Sequence, residues 1–278
     1  MATVVGESGA WREFAEKLRS HGIEARRPNE IGPTWIRMRA TYQASIDERK
    51  STTARRIATW EGRRAKFQAE SSPWRTIVNW VRVLGCRIAI ARLRAAEHWY
   101  VSRISATING IEEVLNSGEL GGAMAELDVI ANLARLPPDY TVYNDVRLTA
   151  NRWIHFNRAM LRTAQIDHIV VAPTGVFVIE TKRWSRKFSN SGEYHDPFDQ
   201  VQRAAYLCYD LLNRRCGKTR VRSVIACAGA LPSAPQGSYV KVLPVTELVG
   251  YISWFKQHEI PPDKLLRVRQ HLNRFVLH

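Results

Sequence analysis

The chain has 278 residues, of which 45% are apolar and 24% charged, a composition typical of folded proteins that excludes disordered and fibrous classes. Its 41 lysines and arginines outnumber 26 acidic residues, so the formal net charge is +15. A charge of this size favours polyanionic partners, with nucleic acid first and an anionic membrane second.

Sequence features that would indicate export, a disulfide framework or a zinc site are missing. The four cysteines (Cys86, Cys208, Cys216 and Cys227) form no C-x-x-C pair. The first residues show no basic segment followed by an apolar one, and Arg82 and Arg87 interrupt the longest apolar stretch, residues 76–91. We therefore expect a reduced, cytoplasmic protein, and a membrane partner is not the favoured one.

Residues 1–120 carry helical periodicity and predict an all-helical N-terminal region. Helices are expected over residues 12–20, 35–69 and 73–115, with a loop at Pro28 and Pro33. Basic residues alternate with aromatic ones along the second helix, and these form the candidate nucleic-acid contacts: Arg55, Arg56, Arg63, Arg64 and Lys66. Other interpretations remain open, namely a solvated helix face, a helical pair that dimerises the protein, and a basic amphipathic helix on a membrane surface.

Residues 121–278 alternate between helical and extended patterns. A helix over 124–136 ends at two prolines, and strands are expected over 140–148, 165–172 and 176–182, the last two joined by a tight turn at Pro173-Thr174-Gly175. A helix over 199–213, strands over 221–228 and 239–245, and two closing helices follow. This order predicts an α/β domain with a mixed central sheet flanked by helices.

The strand Val176–Lys182 carries the clearest chemical signal. Its first residues are apolar on both faces, as in a buried central strand, yet it ends in Glu180 and Lys182, which share one face. A second carboxylate, Asp167, interrupts the preceding apolar strand, and the hairpin can bring it to the same end of the sheet. Two carboxylates and a lysine suit phosphodiester hydrolysis with Mg²⁺, although a surface Glu–Lys pair beside an unrelated Asp would give the same pattern.

Four segments in this region resemble the NERD (nuclease-related) domain, a branch of the PD-(D/E)XK nuclease superfamily. They are Glu126–Val129, Gln165–His168, Gly175–Lys182 and Pro197–Gln200. The resemblance covers about 80 to 130 residues and leaves out the first 120. It implies a restriction-endonuclease-like core over residues 121–278.

The resemblance also implies roles for individual residues. Asp167 and Glu180 would be metal-binding carboxylates, with the Thr181 carbonyl as a further ligand and Lys182 as the catalytic lysine. Glu126 would face the metal from the first helix, and Gln200 would orient the site from the later one. Gln202, about 200° away around that helix, would point elsewhere. By the alternation of side chains along a strand, His168 would face away from Asp167, either in the core or supporting the site residues.

Departures from the family pattern concern substrate handling rather than the carboxylates and lysine. Asp196 stands where an asparagine is usual, Arg186 occupies a small-residue position, and the segment from Lys182 to Pro197 is short. Basic residues directly after the catalytic strand (Arg183, Arg186 and Lys187) are further candidate nucleic-acid contacts.

The site residues and the resemblance together predict a Mg²⁺- or Mn²⁺-dependent nuclease. The resemblance favours DNA over RNA as the substrate, in defence against foreign DNA or in DNA processing. No nucleotide-driven motor motif occurs, so ATP-coupled cleavage would need a partner such as a helicase, and a homo-oligomer is compatible with the sequence. Two alternatives remain, a catalytically silent nucleic-acid-binding module with a nuclease fold, and a protein associated with a membrane surface.

Overall fold

The structure, a computed structural model, describes residues 1–70, 76–157, 159–184, 196–231 and 239–277. The chain forms two compact units, one comprising residues 17–116 and the other comprising residues 1–16 together with 117–278. The α/β unit thus includes the first 16 residues, which the sequence grouped with the helical region. The N-terminal region is mostly helical, but Thr3–Val5 forms a strand, β1.

The helical unit is built on two long helices, α2 (Pro28–Ala69) and α3 (Thr76–Leu115). They run antiparallel, because Arg39 lies 3.4 Å from Glu112 while the Arg82 guanidinium lies over the Phe67 ring. No helix in the described ranges is long and apolar enough to cross a bilayer.

The start of α2 corrects the expected loop at the two prolines. Pro28 occupies the first helical turn, where its missing N–H costs nothing, and Pro33 also lies inside the helix. The Glu30 carboxylate accepts the backbone N–H groups of Arg26 and Arg27, which holds the entry to the helix. The predicted start of α3 at residue 73 falls outside the described residues.

The α/β unit contains a six-stranded sheet in the order β1 to β6 among the described residues. The longer strands are β2 (Thr141–Phe156), β3 (Ala159–Ala172) and β4 (Gly175–Lys182), followed by β5 (Val221–Cys227) and β6 (Lys241–Pro244). The two hairpin pairings β2–β3 and β3–β4 are antiparallel, whereas the outer pairings β1–β2, β4–β5 and β5–β6 are parallel. The predicted mixed sheet is therefore confirmed.

Helices cover both faces of this sheet. Helix α4 (Gly118–Leu133) and α6 (Leu248–Trp254) pack with one buried apolar cluster, and α5 (Pro197–Cys216) and α7 (Pro262–Leu272) pack with the other. Helix α1 (Gly9–Ser20) follows β1, and short 3₁₀ turns occur at Val245–Glu247 and Asn273–Phe275. Because β4 is buried on both faces, its continuous apolar run fits a central strand.

The β3–β4 turn fixes where the polar end of β4 lies. Ala172 pairs with Gly175. The φ of Gly175 is +128°, a conformation that a residue with a side chain would adopt only under strain. The register runs outward from this turn to the pair His168–Ile179. The next two positions along the strands are Asp167 and Glu180, so the hairpin brings both carboxylates to one end of the sheet.

Candidate active site

Five of the predicted site residues meet at the end of β4. Asp167 comes from β3, Glu180 and Lys182 from β4, Gln200 from the first turn of α5, and Glu126 from α4. The structure thus places together residues that are up to 74 positions apart in the sequence.

Glu180 is held by two side chains that the sequence singled out. Lys182 Nζ donates to Glu180 Oε1 over 2.6 Å, and Gln200 Nε2 donates to the same oxygen over 2.7 Å. Lys182 Nζ also donates to Gln200 Oε1 over 3.2 Å, which closes a three-membered ring of hydrogen bonds. Asp196 caps α5 by accepting the Phe198 N–H, so the helix presents Gln200 to the strand.

Asp167 is tied to the backbone of the neighbouring strand. The Thr181 N–H donates to Asp167 Oδ2 over 2.7 Å. This bond locks the Asp167 carboxylate beside the Glu180–Thr181 peptide. The Thr181 carbonyl, the predicted further ligand, belongs to this same stretch of backbone.

Glu126 is held by the N-terminal segment of the chain, which the sequence reading did not connect to the site. Ser8 Oγ donates to Glu126 Oε2 over 2.7 Å, and the Ala10 N–H donates to the same oxygen over 3.2 Å. Ser8 Oγ also accepts the Trp11 N–H and so caps α1. A serine directly before a helix was the available signal, but its partner lies 118 positions away.

Burial is the main cause of a raised pKa at each of the three carboxylates. Burial raises the pKa of Asp167 well above its ordinary value, and the nearby charges of Glu180 and Glu126 raise it further. Burial also raises the pKa of Glu126 and of Glu180, while Lys182 and Gln200 partly offset the effect at Glu180. A concentration of buried negative charge of this kind is stabilised when a cation is present.

The donor set suits a hard divalent cation, since three carboxylates and a backbone carbonyl supply only oxygen ligands. Within the described residues, however, no three His, Cys, Asp or Glu side chains converge as a preformed metal site. Glu180 is engaged by Lys182 and Gln200, and one oxygen of Glu126 is engaged by Ser8. The residues fit Mg²⁺ or Mn²⁺ by their chemistry, and binding would require these contacts to loosen.

A buried hydrogen-bond chain lies directly behind the carboxylates. His168 is fully buried, with Nδ1 2.8 Å from Asn144 Oδ1 and Nε2 3.0 Å from Thr181 Oγ1. Asn144 Nδ2 donates in turn to the Gly6 carbonyl. The acceptor at Asn144 assigns the imidazole proton to Nδ1, so the Thr181 hydroxyl donates to Nε2. Burial lowers the pKa of His168 to about 3, and the ring is neutral.

Asp145 is a further buried carboxylate that the sequence reading missed. It forms an ion pair with Arg12 of α1 and accepts a hydrogen bond of 2.9 Å from Gln165 Nε2. Its φ of +48° lies in the left-handed region, and a Cβ at Gly9 would come within 2.7 Å of its carboxyl carbon. The Asn-Asp pair inside an apolar strand was the signal that could have found it.

The candidate nucleic-acid contacts are distributed over both units. Arg183 leaves the end of β4 and lies across Gly121 of α4, and Arg186 and Lys187 lie outside the described residues. On α2, Arg64 is half-buried, while the remaining candidates are exposed: Arg55, Arg56, Arg63 and Lys66. Their contact with nucleic acid stays a prediction.

A cleft of about 860 Å³ adjoins the carboxylates through Gln200. Its walls include Trp153, Arg162 and Arg203, and the Arg162 guanidinium lies 5.8 Å from the Trp153 ring centre. Two aspartates also line the cleft, and one of them, Asp199, forms an ion pair with Arg203 over 3.3 Å, so the cleft is of mixed charge. Its exposed Trp153 ring can stack a base, and Arg162 can contact a phosphate.

Comparison with known proteins identifies the class of this unit. Residues 121–228 match the family model of the nuclease-related domain, NERD. This part of the chain is a NERD domain, and the NERD family belongs to the PD-(D/E)XK-like nuclease superfamily. The match contains Glu126, Asp167, Glu180, Lys182 and Gln200, and it leaves out Ser8 and Arg12.

Comparisons with individual proteins add little. No curated protein matches the chain. A solved structure, that of protein VC1899 from Vibrio cholerae, shares 13% identity over 53% of this chain and 36% of its own, with a TM-score of 0.26. The matched part thus spans about a third of that protein, and a likeness this low carries no argument about fold or activity.

Proposed function

We propose that this protein is a metal-dependent nuclease that hydrolyses phosphodiester bonds of DNA. The observation that carries the proposal is the ring formed by Glu180, Lys182 and Gln200 beside Asp167 at the end of a buried strand. An ammonium group 2.6 Å from a carboxylate that is 4% exposed is costly to maintain for packing alone. A catalytic role explains why this Lys182–Glu180 pair lies next to two further carboxylates.

The residues divide the work according to their contacts. Asp167, Glu180 and the Thr181 carbonyl would hold Mg²⁺ or Mn²⁺, with Glu126 completing the set from α4. The bound ion would neutralise the scissile phosphate and lower the pKa of a water molecule. Lys182, 26% exposed, can reach solvent and would orient the attacking water or stabilise charge on the phosphate. Gln200 keeps Glu180 in place, and the cleft with Trp153, Arg162 and Arg203 would receive the nucleic acid.

A silent nucleic-acid-binding module is the second candidate. The observation that favours it is that Glu180 and Glu126 already have protein donors, so that no ready metal site forms among the described residues. In that case the same fold and basic surface would bind DNA, and Lys182 would replace the metal as the balancing charge.

Cleavage of circular and linear DNA tests the proposal. Purified wild type, Asp167→Ala and Lys182→Ala would be assayed with EDTA, Mg²⁺ and Mn²⁺. We expect metal-dependent loss of substrate with the wild type and a fall of about 10²-fold or more in each variant. DNA binding in EDTA should stay within about threefold, because neither residue is expected to supply most of the phosphate contacts.

Matched controls are available on the surface of the same unit. Asp128→Ala removes an exposed acid from α4, and Lys256→Ala removes an exposed lysine. Both should cleave as the wild type does. Loss of circular DNA would indicate an endonuclease, and loss of linear DNA alone an exonuclease. Metal-independent cleavage, or equal cleavage by wild type and Asp167→Ala, would contradict the proposal, and DNA binding without cleavage would support the silent module.

A further inference from the structure

The α3 helix exposes an unusual strip of large apolar side chains, which we call the α3 strip. It consists of Ile77, Trp80, Val81, Leu84 and Ile88, which are between 40% and 79% exposed. Their spacing of three and four residues places them on one side of the helix over about 18 Å. Scattered exposed apolar residues are ordinary, but a contiguous strip of them indicates an interaction surface.

The opposite side of α3 already has a partner. Asn79, Cys86 and Ile90 are buried there, and α3 packs along α2. Helix α3 is therefore apolar on two sides, one of which α2 covers. A helix that is apolar all round is expected to be buried, so the α3 strip is a face without a described partner.

The charge around the strip identifies the kind of partner. Residues 49–96 hold twelve lysines and arginines and only two acidic residues, a net charge of +10 out of +15 for the whole chain. No acid occurs between Glu70 and Glu97. Arg87 and Arg94 flank the strip on one side and Arg92 on the other, by helical spacing, and all three are exposed.

This charge makes an anionic partner more favourable than a second copy of the chain. Two such strips facing each other would bring the arginines of both copies together without acids to balance them. A nucleic acid would satisfy the arginines but leaves the aliphatic side chains in water, because bases and phosphates offer them little apolar surface. A lipid bilayer with anionic headgroups satisfies both, since apolar side chains enter the acyl boundary while arginines meet the phosphates.

We propose that the α3 strip docks on an anionic lipid surface and that helix α3 lies in the plane of that surface. Ile77, Leu84 and Ile88 insert at the boundary between headgroups and acyl chains, with Trp80 at headgroup level. The proposal concerns the helical unit and does not depend on the proposed nuclease activity. It predicts that α3 holds the protein at a membrane surface.

Vesicle co-sedimentation of the full chain tests this proposal. The wild type would be mixed with vesicles of equal parts phosphatidylglycerol and phosphatidylcholine, or of phosphatidylcholine alone. The variant Leu84→Ser/Ile88→Ser removes apolar surface from the strip, and Ile36→Ser, at a site 68% exposed on α2, is the matched control. We expect the wild type and Ile36→Ser to bind the anionic vesicles and the double variant to bind at least tenfold more weakly.

Other results would overturn the proposal. No binding to the anionic vesicles, equal binding to both kinds of vesicle, or equal binding by the double variant would each exclude the α3 strip as an anionic lipid site. Sedimentation velocity without lipid would reveal a second copy as the occupant if the wild type is a dimer and the double variant a monomer. A loss of duplex DNA affinity in the double variant would assign the strip to nucleic acid instead. Circular dichroism checks that both variants keep their helix content.

Discussion

At the scale of single residues, the buried Asp167 carboxyl group lowers the stability of the fold, whereas the proposed reaction requires it. Because its pKa is raised, the folded protein binds its proton more readily than the unfolded chain, and this group's contribution to stability falls as pH rises. The buried carboxyl group therefore costs the metal-free protein stability at neutral pH compared with acidic pH.

The substitution Asp167→Asn should relieve that cost. The amide oxygen can still accept the Thr181 N–H, while the repulsion from Glu180 and Glu126 disappears. We expect the midpoint of thermal unfolding in EDTA at pH 7 to rise by a few degrees, about 2–4 °C per kcal/mol, while cleavage is lost. Asp128→Asn, on the exposed side of α4, should leave both quantities unchanged. A lower midpoint for Asp167→Asn would show that the carboxylate stabilises the fold.

Ser8 links the first residues of the chain to the proposed chemistry. Its hydroxyl holds one oxygen of Glu126, and hydrogen bonds to charged groups contribute about 1.5–3 kcal/mol. We expect Ser8→Ala to slow cleavage about tenfold or more, whereas Ser20→Ala at the other end of the same helix should have no effect. If Ser8 acts through Glu126, removing its hydroxyl in a Glu126→Ala background should change the rate little further. An equal loss in both backgrounds would point to a general effect of capping α1.

At the scale of elements, a series of buried hydrogen bonds connects the loop after β1 with β2, β3 and β4. It runs from Gly6 through Asn144 and His168 to Thr181. Every polar group in it has a partner, as burial requires. The imidazole is neutral, with a pKa of about 3 against an ordinary value near 6.5. Its contribution to stability is therefore complete above pH 6.5 and is lost as pH falls towards 3.

The substitution His168→Gln isolates this effect, because a glutamine keeps one donor and one acceptor but gains no proton in this range. We expect the free energy of unfolding of the wild type to fall more steeply between pH 6.5 and 3 than that of the variant. The difference in slope should approach one proton, about 1.4 kcal/mol per pH unit. Urea titrations at several pH values measure it, with His258→Gln, an exposed position, as the control. Parallel slopes for wild type and His168→Gln would mean that His168 is charged in the folded protein.

At the scale of the whole molecule, the net charge of +15 makes binding to polyanions sensitive to salt. The DNA affinity of the variant Lys182→Ala, in which cleavage is expected to be impaired, would be measured in EDTA at several salt concentrations. The affinity should fall as the salt concentration rises, and each phosphate contact makes the slope of log K against log salt steeper by about 0.9. If Arg55 and Arg56 contact phosphates, replacing both by alanine should reduce the slope by about two. The charge-matched control is Arg37→Ala/Arg39→Ala in the first half of α2. Equal slope changes in both pairs would indicate a diffuse effect of charge. No change in either pair would indicate that the basic half of α2 does not contact DNA.

Much of the α/β unit could be predicted because its signals are local. The apolar run of β4 and the glycine turn before it follow from neighbouring residues, and the helix predicted from Asp199 begins two positions earlier, at Pro197. Strand β1 was missed because three residues carry too little periodicity, and it forms only by pairing with β2. The helical start at Pro28 was missed because proline breaks helices in their interior but is tolerated in the first turn.

The sequence by itself determined the fold class, the NERD resemblance and the set formed by Asp167, Glu180 and Lys182, because alternation along two adjacent strands places these residues within one hairpin. Only the tertiary structure decided that Ser8 reaches Glu126, that Arg12 pairs with Asp145, and which side of α3 remains exposed. The first two contacts join segments more than a hundred positions apart, and the exposed side of α3 depends on how α3 packs against α2. Neither periodicity nor local propensity predicts such long-range contacts. Burial settles them, since a charged or apolar group takes its final environment from every element packed around it.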